Sequence, residues 1–367
     1  MKNKRVVVGM SGGVDSSVAA ALLQERGFEV IGATMCFNLG DSNRKKGGCC
    51  SLQGIEDARR VAHKLGIKHY VLNMGKALEE RVIKDFCKEY LLGRTPNPCV
   101  VCNQYLKFGE LLDKARVLDA EFLATGHYCR IVKSSGAFFL KKAKDLKKDQ
   151  SYFLYRLNQV QLKHAIFPLG DYTKEEVRGL ARKFKLSVAD KKASQEICFL
   201  PDDDYRAFLR KRANKEMLPG EVVDTRGNVV GKHKGIAYYT IGQREGLGIA
   251  RGYPVYITKI EPETNRIFIG PKEEAYASEF LVKDLHFTSG CSGRLNVRYG
   301  IFGKKEVALK VKIRYNHKEA GAKLHPAGNK ITVVFKKPQF AITPGQSAVF
   351  YKGNRVLGGA IIDEVIK

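Results

Sequence analysis

Two groups of residues in this 367-residue chain have types and spacing suited to covalent chemistry. The first is a glycine turn, Gly9-Met10-Ser11-Gly12-Gly13-Val14-Asp15-Ser16, entered from the β-branched run Val6–Val8 and left through a helical pattern that opens at Asp15 or Ser16. Glycines let a backbone approach a ligand and adopt angles closed to other residues. A helix N-terminus aimed at the turn adds unpaired N–H groups and a positive dipole end, so the unit favours an anion, phosphate above all. No lysine follows the second glycine as GxxxxGK[ST] demands, and the spacing is not GxGxxG. A capped turn without a ligand is the bland alternative, against which two serines and an aspartate around two glycines weigh heavily. The second group is Cys99 and Cys102, in Arg94-Thr95-Pro96-Asn97-Pro98-Cys99-Val100-Val101-Cys102-Asn103, a proline-stiffened loop running into a helix N-terminus. Such a position favours the thiolate, the reactive form. CxxC serves as a redox pair, half of a zinc site or part of an iron–sulfur site. A four-cysteine zinc site needs a second CxxC, which the sequence lacks; Cys198, in Ser194-Gln195-Glu196-Ile197-Cys198-Phe199, is the remaining partner and taken alone reads as a core cysteine.

The other cysteines carry less. Cys36, Cys87 and Cys129 fall within apolar patterning and Cys291 in a Ser/Gly turn, so they read as packing or incidental surface. Cys49-Cys50, adjacent in a basic loop, are poor joint metal ligands and receive no role.

Alternating strands and helices must position the two groups. After a helix at Ser17–Arg26, strands are expected at Val30–Met35, His69–Leu72 and Phe122–Ala124, with helices at Ile55–Leu65, Leu78–Leu92 and Tyr105–Leu118. That order implies a parallel sheet with helices on both faces, whose ligands sit at the carboxyl ends of strands. Ser11–Ser16, Met35 and the turn Thr125-Gly126-His127-Tyr128 all fall at such ends, which makes one pocket. Thr173 and Glu176 form a capping box for a helix to about Phe184, and Tyr205–Arg212 is a last short helix. From Pro219 onward short alternating strands with Gly, Asn and Asp turns take over. Boundaries follow at 1–218, 219–275 and 276–367: an α/β domain, a small mainly-β domain and a β-barrel.

Lys and Arg number 64 against 38 Asp and Glu, a formal charge of +26. Such an excess draws polyanions, nucleic acid first. No signal peptide, basic amphipathic helix or apolar span of membrane length appears, which argues against a membrane. Nine cysteines in a long chain do not suit a secreted disulfide framework. The expected compartment is the cytoplasm.

Ser11-Gly12-Gly13-Val14-Asp15-Ser16 resembles the SGGxDS loop of the ATP pyrophosphatases (the PP-loop superfamily), which cleave ATP between the α and β phosphates and adenylate a substrate. Together with GCCSLQGIEDARRVAHKLGI, GRTPNPCVVCNQYLKFGELL, ATGHY, KDQSYFLY, SQEICF, GQREGLGI and TPGQSAVFY, in order along nearly the whole chain, it closely resembles the tRNA-specific 2-thiouridylases. The resemblance implies replacement of O2 of the wobble uridine of certain tRNAs by sulfur, after activation by ATP. It implies nucleotide contacts from Gly9 to Ser16 and from Met35 and Gly126, with Mg²⁺ bridging pyrophosphate to Asp15. Cys198 would carry a persulfide loaded by a cysteine desulfurase or a relay protein, and Cys102 would be the partner nucleophile, the pair ending as a disulfide. Asn97, Pro98 and Cys99 would line the target base, which has to leave its stack for chemistry to reach it. His127, Lys148, Asp149, Gln150, Arg314, Tyr315 and Gln346 would contact tRNA. The family commonly has Asp where this chain has Cys99, and three thiolates at Cys99, Cys102 and Cys198 suit a [4Fe–4S] cluster with one open iron as an alternative to the persulfide. Competing functions are another PP-loop enzyme adenylating a small molecule, which has no use for two paired thiols or +26, and a catalytically silent RNA-binding module, which has no use for the complete loop.

Overall fold

The computed structural model describes residues 4–37, 52–191, 197–200, 203–213, 217–249, 251–288, 306–327 and 330–366. Cys49, Cys50, Cys291 and Ser194–Glu196 lie outside them. The chain begins with β1 (Arg5–Gly9), α1 (Val14–Glu25), β2 (Glu29–Cys36), α2 (Leu52–Leu65) and β3 (Lys68–Asn73). β1 is buried from Val6 to Val8 and β2 from Val30 to Thr34, continuous runs rather than alternation. That is how a strand reads when helices cover both faces of its sheet. α1 is buried on most sides because its Val, Ala and Leu residues pass beneath α2 and a later helix.

α3 (Gly75–Leu78) continues through a π turn, Glu79–Ile83, into α4 (Lys84–Leu91). α5 (Pro98–Cys102) continues through a longer π segment, Asn103–Leu111, into α6 (Leu112–Val117). Both helices begin earlier than the periodicity predicts, and for α5 the reason is local. Asn97 is its N-cap, its Oδ1 accepting from the Val100 N–H at 3.4 Å, and Pro98 follows at the first helical position, where its missing N–H costs nothing. Cys99 and Cys102 therefore sit on the first turn of a helix, not in the loop before it.

β4 (Phe122–Thr125) and β7 (Ala165–Ile166) complete a parallel sheet in the order β3-β2-β1-β4-β7. Between them come the hairpin β5 (Cys129–Ser134) and β6 (Ala137–Lys142), then α7 (Gln159–His164). α8 (Lys174–Lys183) starts at the expected capping box, Thr173 Oγ1 accepting from the Glu176 N–H at 3.2 Å and Glu176 accepting from the Thr173 N–H at 2.6 Å. α9 (Tyr205–Ala213) follows. The strand order reverses between β1 and β4, so the crevice at their carboxyl ends is the topological switch point where open sheets bind ligands.

Beyond α9 the parallel alternation stops, as the turn-rich sequence implies. β8 (Gly220–Val223), β9 (Val229–His233), β10 (Tyr256–Glu261) and β11 (Arg266–Gly270) make a small sheet around Val222, Ile257, Ile267 and Ile269. β12 (Tyr276–Phe287), β13 (Val307–Lys312), β14 (Ala320–Ala327), β15 (Lys330–Phe340), β16 (Ser347–Lys352) and β17 (Arg355–Ile366) close on themselves in the order β12-β15-β14-β13-β16-β17-β12. Phe280, Val311, Val333 and Phe350 fill the interior of this barrel. One feature was not anticipated. The β5–β6 hairpin leaves the parallel sheet and joins the barrel edge, Lys141 pairing with Arg355 of β17. Among the described residues no helix is long and apolar enough to cross a membrane.

The barrel is clamped to the segment before α5. Arg94, nearly buried, donates to Glu89 (2.8 Å), to Asp363 Oδ1 (3.2 Å) and to the carbonyls of Ile362 (2.9 Å) and Asp363 (3.1 Å). Removing it takes the cation from Glu89 and the donor from the Asp363 carbonyl in a partly dry seam, while Lys283 still holds Asp363 Oδ1 (2.8 Å) and the Gly345 N–H still holds the Ile362 carbonyl (2.9 Å). Arg94→Ala is expected to cost about 2–4 kcal/mol, read as an earlier first transition in urea unfolding; an unchanged midpoint refutes the clamp.

Candidate active site

The turn after β1 is set by two close backbone approaches. Gly12 has φ +70°, and a Cβ on it would collide with the Gly54 carbonyl at the start of α2. Gly126, in the turn after β4, would place a Cβ 2.7 Å from the Asp15 carbonyl carbon and the Ser16 nitrogen. Within the turn Ser16 Oγ accepts from the Ser11 N–H and donates to the Gly13 carbonyl, both at 3.2 Å, and Ser17 Oγ donates to the same carbonyl at 2.8 Å. Gly13 is the N-cap of α1 and brings no side chain to the helix end, so the first N–H groups stay open to a ligand. Val14 is buried beneath the turn. Met10 is fully buried, tied by its N–H to the Ala33 carbonyl and by its carbonyl to Thr34, both at 2.8 Å. Gly9 lies level with Thr125 across β1 and β4, and Met35, half-buried, is the last residue but one of β2. The glycine turn, Met35 and Gly126 thus lie at the carboxyl ends of β1, β2 and β4.

Asp15 is gripped from two sides. The Tyr128 hydroxyl donates to its Oδ1 at 2.7 Å, and Lys174, first residue of α8, reaches the same oxygen at 2.6 Å. Burial, reinforced by the adjacent carboxylate, pushes the Tyr128 phenol well above its usual range, so it stays a donor. Lys191 donates to the Gly12 carbonyl at 2.9 Å and to Asp57 of α2 at 2.6 Å. Burial pulls the Asp57 carboxyl upward, but the bonds from Lys191 and Gln53 outweigh it and hold the group below its usual value. Lys174 and Lys191 were missed by the sequence reading. The capping box that places Lys174 at a helix start was its one visible signal.

Thr125 Oγ1 and His127 Nδ1 lie 2.7 Å apart, with the His127 ring against Phe108 and Phe167. Desolvation, with Lys107 nearby, lowers the His127 pKa well below its ordinary value and keeps the ring neutral. Cys102 is buried in the apolar cluster around Phe86, Val100 and Leu106, and the half-buried Cys198 packs against the same cluster. Phe199 anchors the Cys198 segment, edge-on to Phe86 at 5.3 Å. The two thiols are not joined as a disulfide. Nor are Cys99, Cys102 and Cys198 grouped as a ligand set; among the described residues no three Cys, His, Asp or Glu side chains are placed to hold a metal. The iron–sulfur expectation does not fit this arrangement, and no step below runs through a cluster.

The residues expected to touch RNA are largely engaged within the protein. Asp149 is buried, accepting from the Ala143 N–H (2.9 Å) and Ser151 Oγ (2.7 Å), and desolvation raises its pKa despite them. Gln150 holds the Tyr128 backbone through Oε1 (3.0 Å). Lys148, beside them, is half-buried. Arg314 donates to the carbonyls of Ile241 (3.1 Å) and Ala341 (2.8 Å) and to Thr343, and Tyr315 lies on Phe153 with centroids 4.5 Å apart. Gln346 donates to the Thr95 (2.9 Å) and Pro96 (3.3 Å) carbonyls, bracing the segment that carries Asn97 and Pro98.

A glycine turn at the switch point of a parallel sheet, backed by an open helix end, defines a nucleotide-binding α/β domain of the PP-loop kind. Family models match in three consecutive parts: tRNA methyl transferase HUP domain over residues 4–202, tRNA methyl transferase PRC-barrel domain over 206–271, and aminomethyltransferase beta-barrel domain over 277–362. The tRNA-specific 2-thiouridylase MnmA 1 of Caldanaerobacter subterraneus subsp. tengcongensis is 51% identical over 371 residues, covering 100% of this chain and 99% of its own. The MnmA of Halothermothrix orenii is 51% identical over 366 residues, covering 98% and 99%. A solved 4-thiouridine synthetase, in an RNA complex with bound ATP, covers 58% of this chain and 50% of its own at 15% identity and a TM-score of 0.36, too slight a likeness to carry more. The chain belongs to the tRNA-specific 2-thiouridylase family.

Gly126→Ala is expected to force the Asp15 turn aside and weaken ATP binding at least about tenfold. Gly179→Ala on α8, where a Cβ meets nothing within 4 Å, is the control and leaves binding unchanged. Calorimetric titration with ATP separates them, and equal affinities would refute the steric account.

Proposed function

We propose that this protein is an ATP-dependent tRNA 2-thiouridylase, converting the wobble uridine of its tRNA substrates to 2-thiouridine. What supports the reading most is the end-to-end family relationship, in a chain that keeps the open α1 terminus. The oxygen at uridine C2 is a poor leaving group. Attack of O2 on the α-phosphorus expels pyrophosphate and leaves an adenylated base, whose C2–O bond then breaks with AMP as the leaving group.

In that scheme the Gly12 and Gly13 backbone and the first N–H groups of α1 receive the phosphates. Asp15 fits Mg²⁺: it is a hard oxygen donor, part-exposed, with Oδ1 engaged and, among the described residues, no partner on Oδ2. When bound, the ion neutralises phosphate charge and aids departure of pyrophosphate. Met35 and Gly126 border the nucleotide. Asn97, Pro98 and Cys99 border the base, His127 and the Lys148–Gln150 segment flank the crevice, and Arg314, Tyr315 and Gln346 mark the barrel side along which tRNA lies.

Sulfur arrives as a persulfide on Cys198, loaded by a cysteine desulfurase or relay protein in the cytoplasm. The Cys102 thiolate attacks the inner sulfur of Cys198, forming the Cys102–Cys198 disulfide and expelling hydrosulfide, which attacks C2; an external dithiol, itself oxidised to a disulfide, then reduces the pair and resets the site. The half-buried Cys198 is the member open to a donor, and the buried Cys102 is sheltered from stray oxidation. Cys102→Ser and Cys198→Ser are each expected to lower 2-thiouridine formation more than about 1,000-fold, leaving tRNA affinity within about threefold. Mass spectrometry of digested tRNA with a filter-binding assay checks both, and thiolation persisting in both variants sinks the scheme.

A further inference from the structure

The Lys174–Asp15 pair is an odd arrangement for a lysine. Asp15 stands in the first turn of α1, where the helix dipole and open N–H groups attract anions and disfavour cations. Lys174 nevertheless brings its ammonium there from α8, 159 residues away, and is largely buried in doing so, with 14% of its side chain exposed against 32% for Asp15. Among the described residues its side-chain hydrogen bond is to Asp15 Oδ1, and its ammonium stands 5.8 Å from the centre of the Tyr128 ring. The base of the side chain is fixed independently, because the Lys174 N–H donates to Asp145 Oδ2 at 3.1 Å and Thr173 caps the helix. The stem is therefore anchored while, among the described residues, the charged end holds a single carboxylate oxygen. Tyr128 donates to that same oxygen, so Asp15 keeps one partner if the lysine turns away.

We propose that Lys174 is a nucleotide-binding residue that holds Asp15 only until ATP arrives, then turns its ammonium to the β- and γ-phosphate oxygens and releases Asp15 to Mg²⁺. The exchange rests on the ATP-dependent reading above. It leaves both charges matched at every stage: lysine with carboxylate before binding, lysine with phosphate and carboxylate with Mg²⁺ afterwards. Lys191 cannot replace it, since its ammonium is committed to the Gly12 carbonyl and Asp57.

The test is competition by inorganic pyrophosphate and by adenosine against a fluorescent ATP analogue, without Mg²⁺, on the full chain. Lys174→Met is expected to weaken pyrophosphate roughly 10- to 100-fold and adenosine less than about threefold. Lys174→Arg recovers part of the loss. Asp15→Asn, which frees the ammonium, tightens pyrophosphate, and the double variant with Lys174→Met loses that gain. Lys174→Gln is measured alongside in case the methionine variant does not fold. Unchanged pyrophosphate affinity, or an equal fall for pyrophosphate and adenosine, would make Lys174 a structural strut and overturn the proposal. A wild-type chain that binds no ATP analogue would instead overturn the ATP reading itself.

Discussion

Where two backbones touch with no side chain between them, the rest of the site has no freedom to be elsewhere. Gly12 against Gly54, and Gly126 against Asp15 and Ser16, are such contacts. They press α2 and the turn after β4 onto the loop between β1 and α1. Asp15 is then delivered to Tyr128, because Tyr128 follows Gly126 by two residues. Asp57 is delivered to Lys191, because Asp57 follows Gly54 by three. The hydrogen bonds of the site are consequences of that packing. A methyl group at either glycine would move the acceptors before any bond could form, since interiors absorb little displacement.

A second constraint ties the thiols to the barrel. The helix that carries Cys99 and Cys102 is capped by Asn97, and the chain just before it is braced from outside. Gln346 bonds to the Thr95 and Pro96 carbonyls, the Pro344 carbonyl accepts from the Thr95 N–H at 2.8 Å, and Arg94 reaches β17. The orientation of a thiol in the N-terminal domain is thus set by a turn at the far end of the chain. This gives a barrel domain a reason to travel with a nucleotide-binding domain beyond added surface for RNA.

What the sequence disclosed and what it withheld divide along distance in the chain. The glycine loop, the Thr173–Glu176 box and the parallel alternation obey local rules, so they were legible. Lys174 and Lys191 were not, because nothing near them in sequence tells a surface lysine from one aimed at a carboxylate more than a hundred residues away. The β5–β6 hairpin was legible in principle. Ser135 and Gly136 have φ of 49° and 77°, a primed turn between β-rich flanks, and the Ser-Gly pair there was the signal to notice. Its departure from the parallel sheet to the barrel edge was not, since strand pairing between distant segments leaves no local mark. The thiols show the limit most sharply. Spacing placed Cys99 and Cys102 together, but the segment of Cys198 is seated by long-range packing, Phe199 on Phe86 and Phe208 with Leu200 buried beside it.

The internal bonds of the residues that resemblance assigns to RNA bear on how a chain of +26 uses its charge. Asp149 is buried among its own hydrogen bonds. Gln150 and Gln346 each have part of an amide engaged, and Arg314 has one guanidinium nitrogen shared among three oxygens. Contacts made from such residues use leftover valences on a fixed frame. They are suited to fixing the register of a bound strand, because they lose little freedom on binding and cannot shift to follow a misplaced one. Bulk affinity then falls to the exposed lysines and arginines, whose attraction is long-ranged, screened by salt and indifferent to sequence. In the proposed complex, register from the seam and affinity from the surface would be different tasks for different residues.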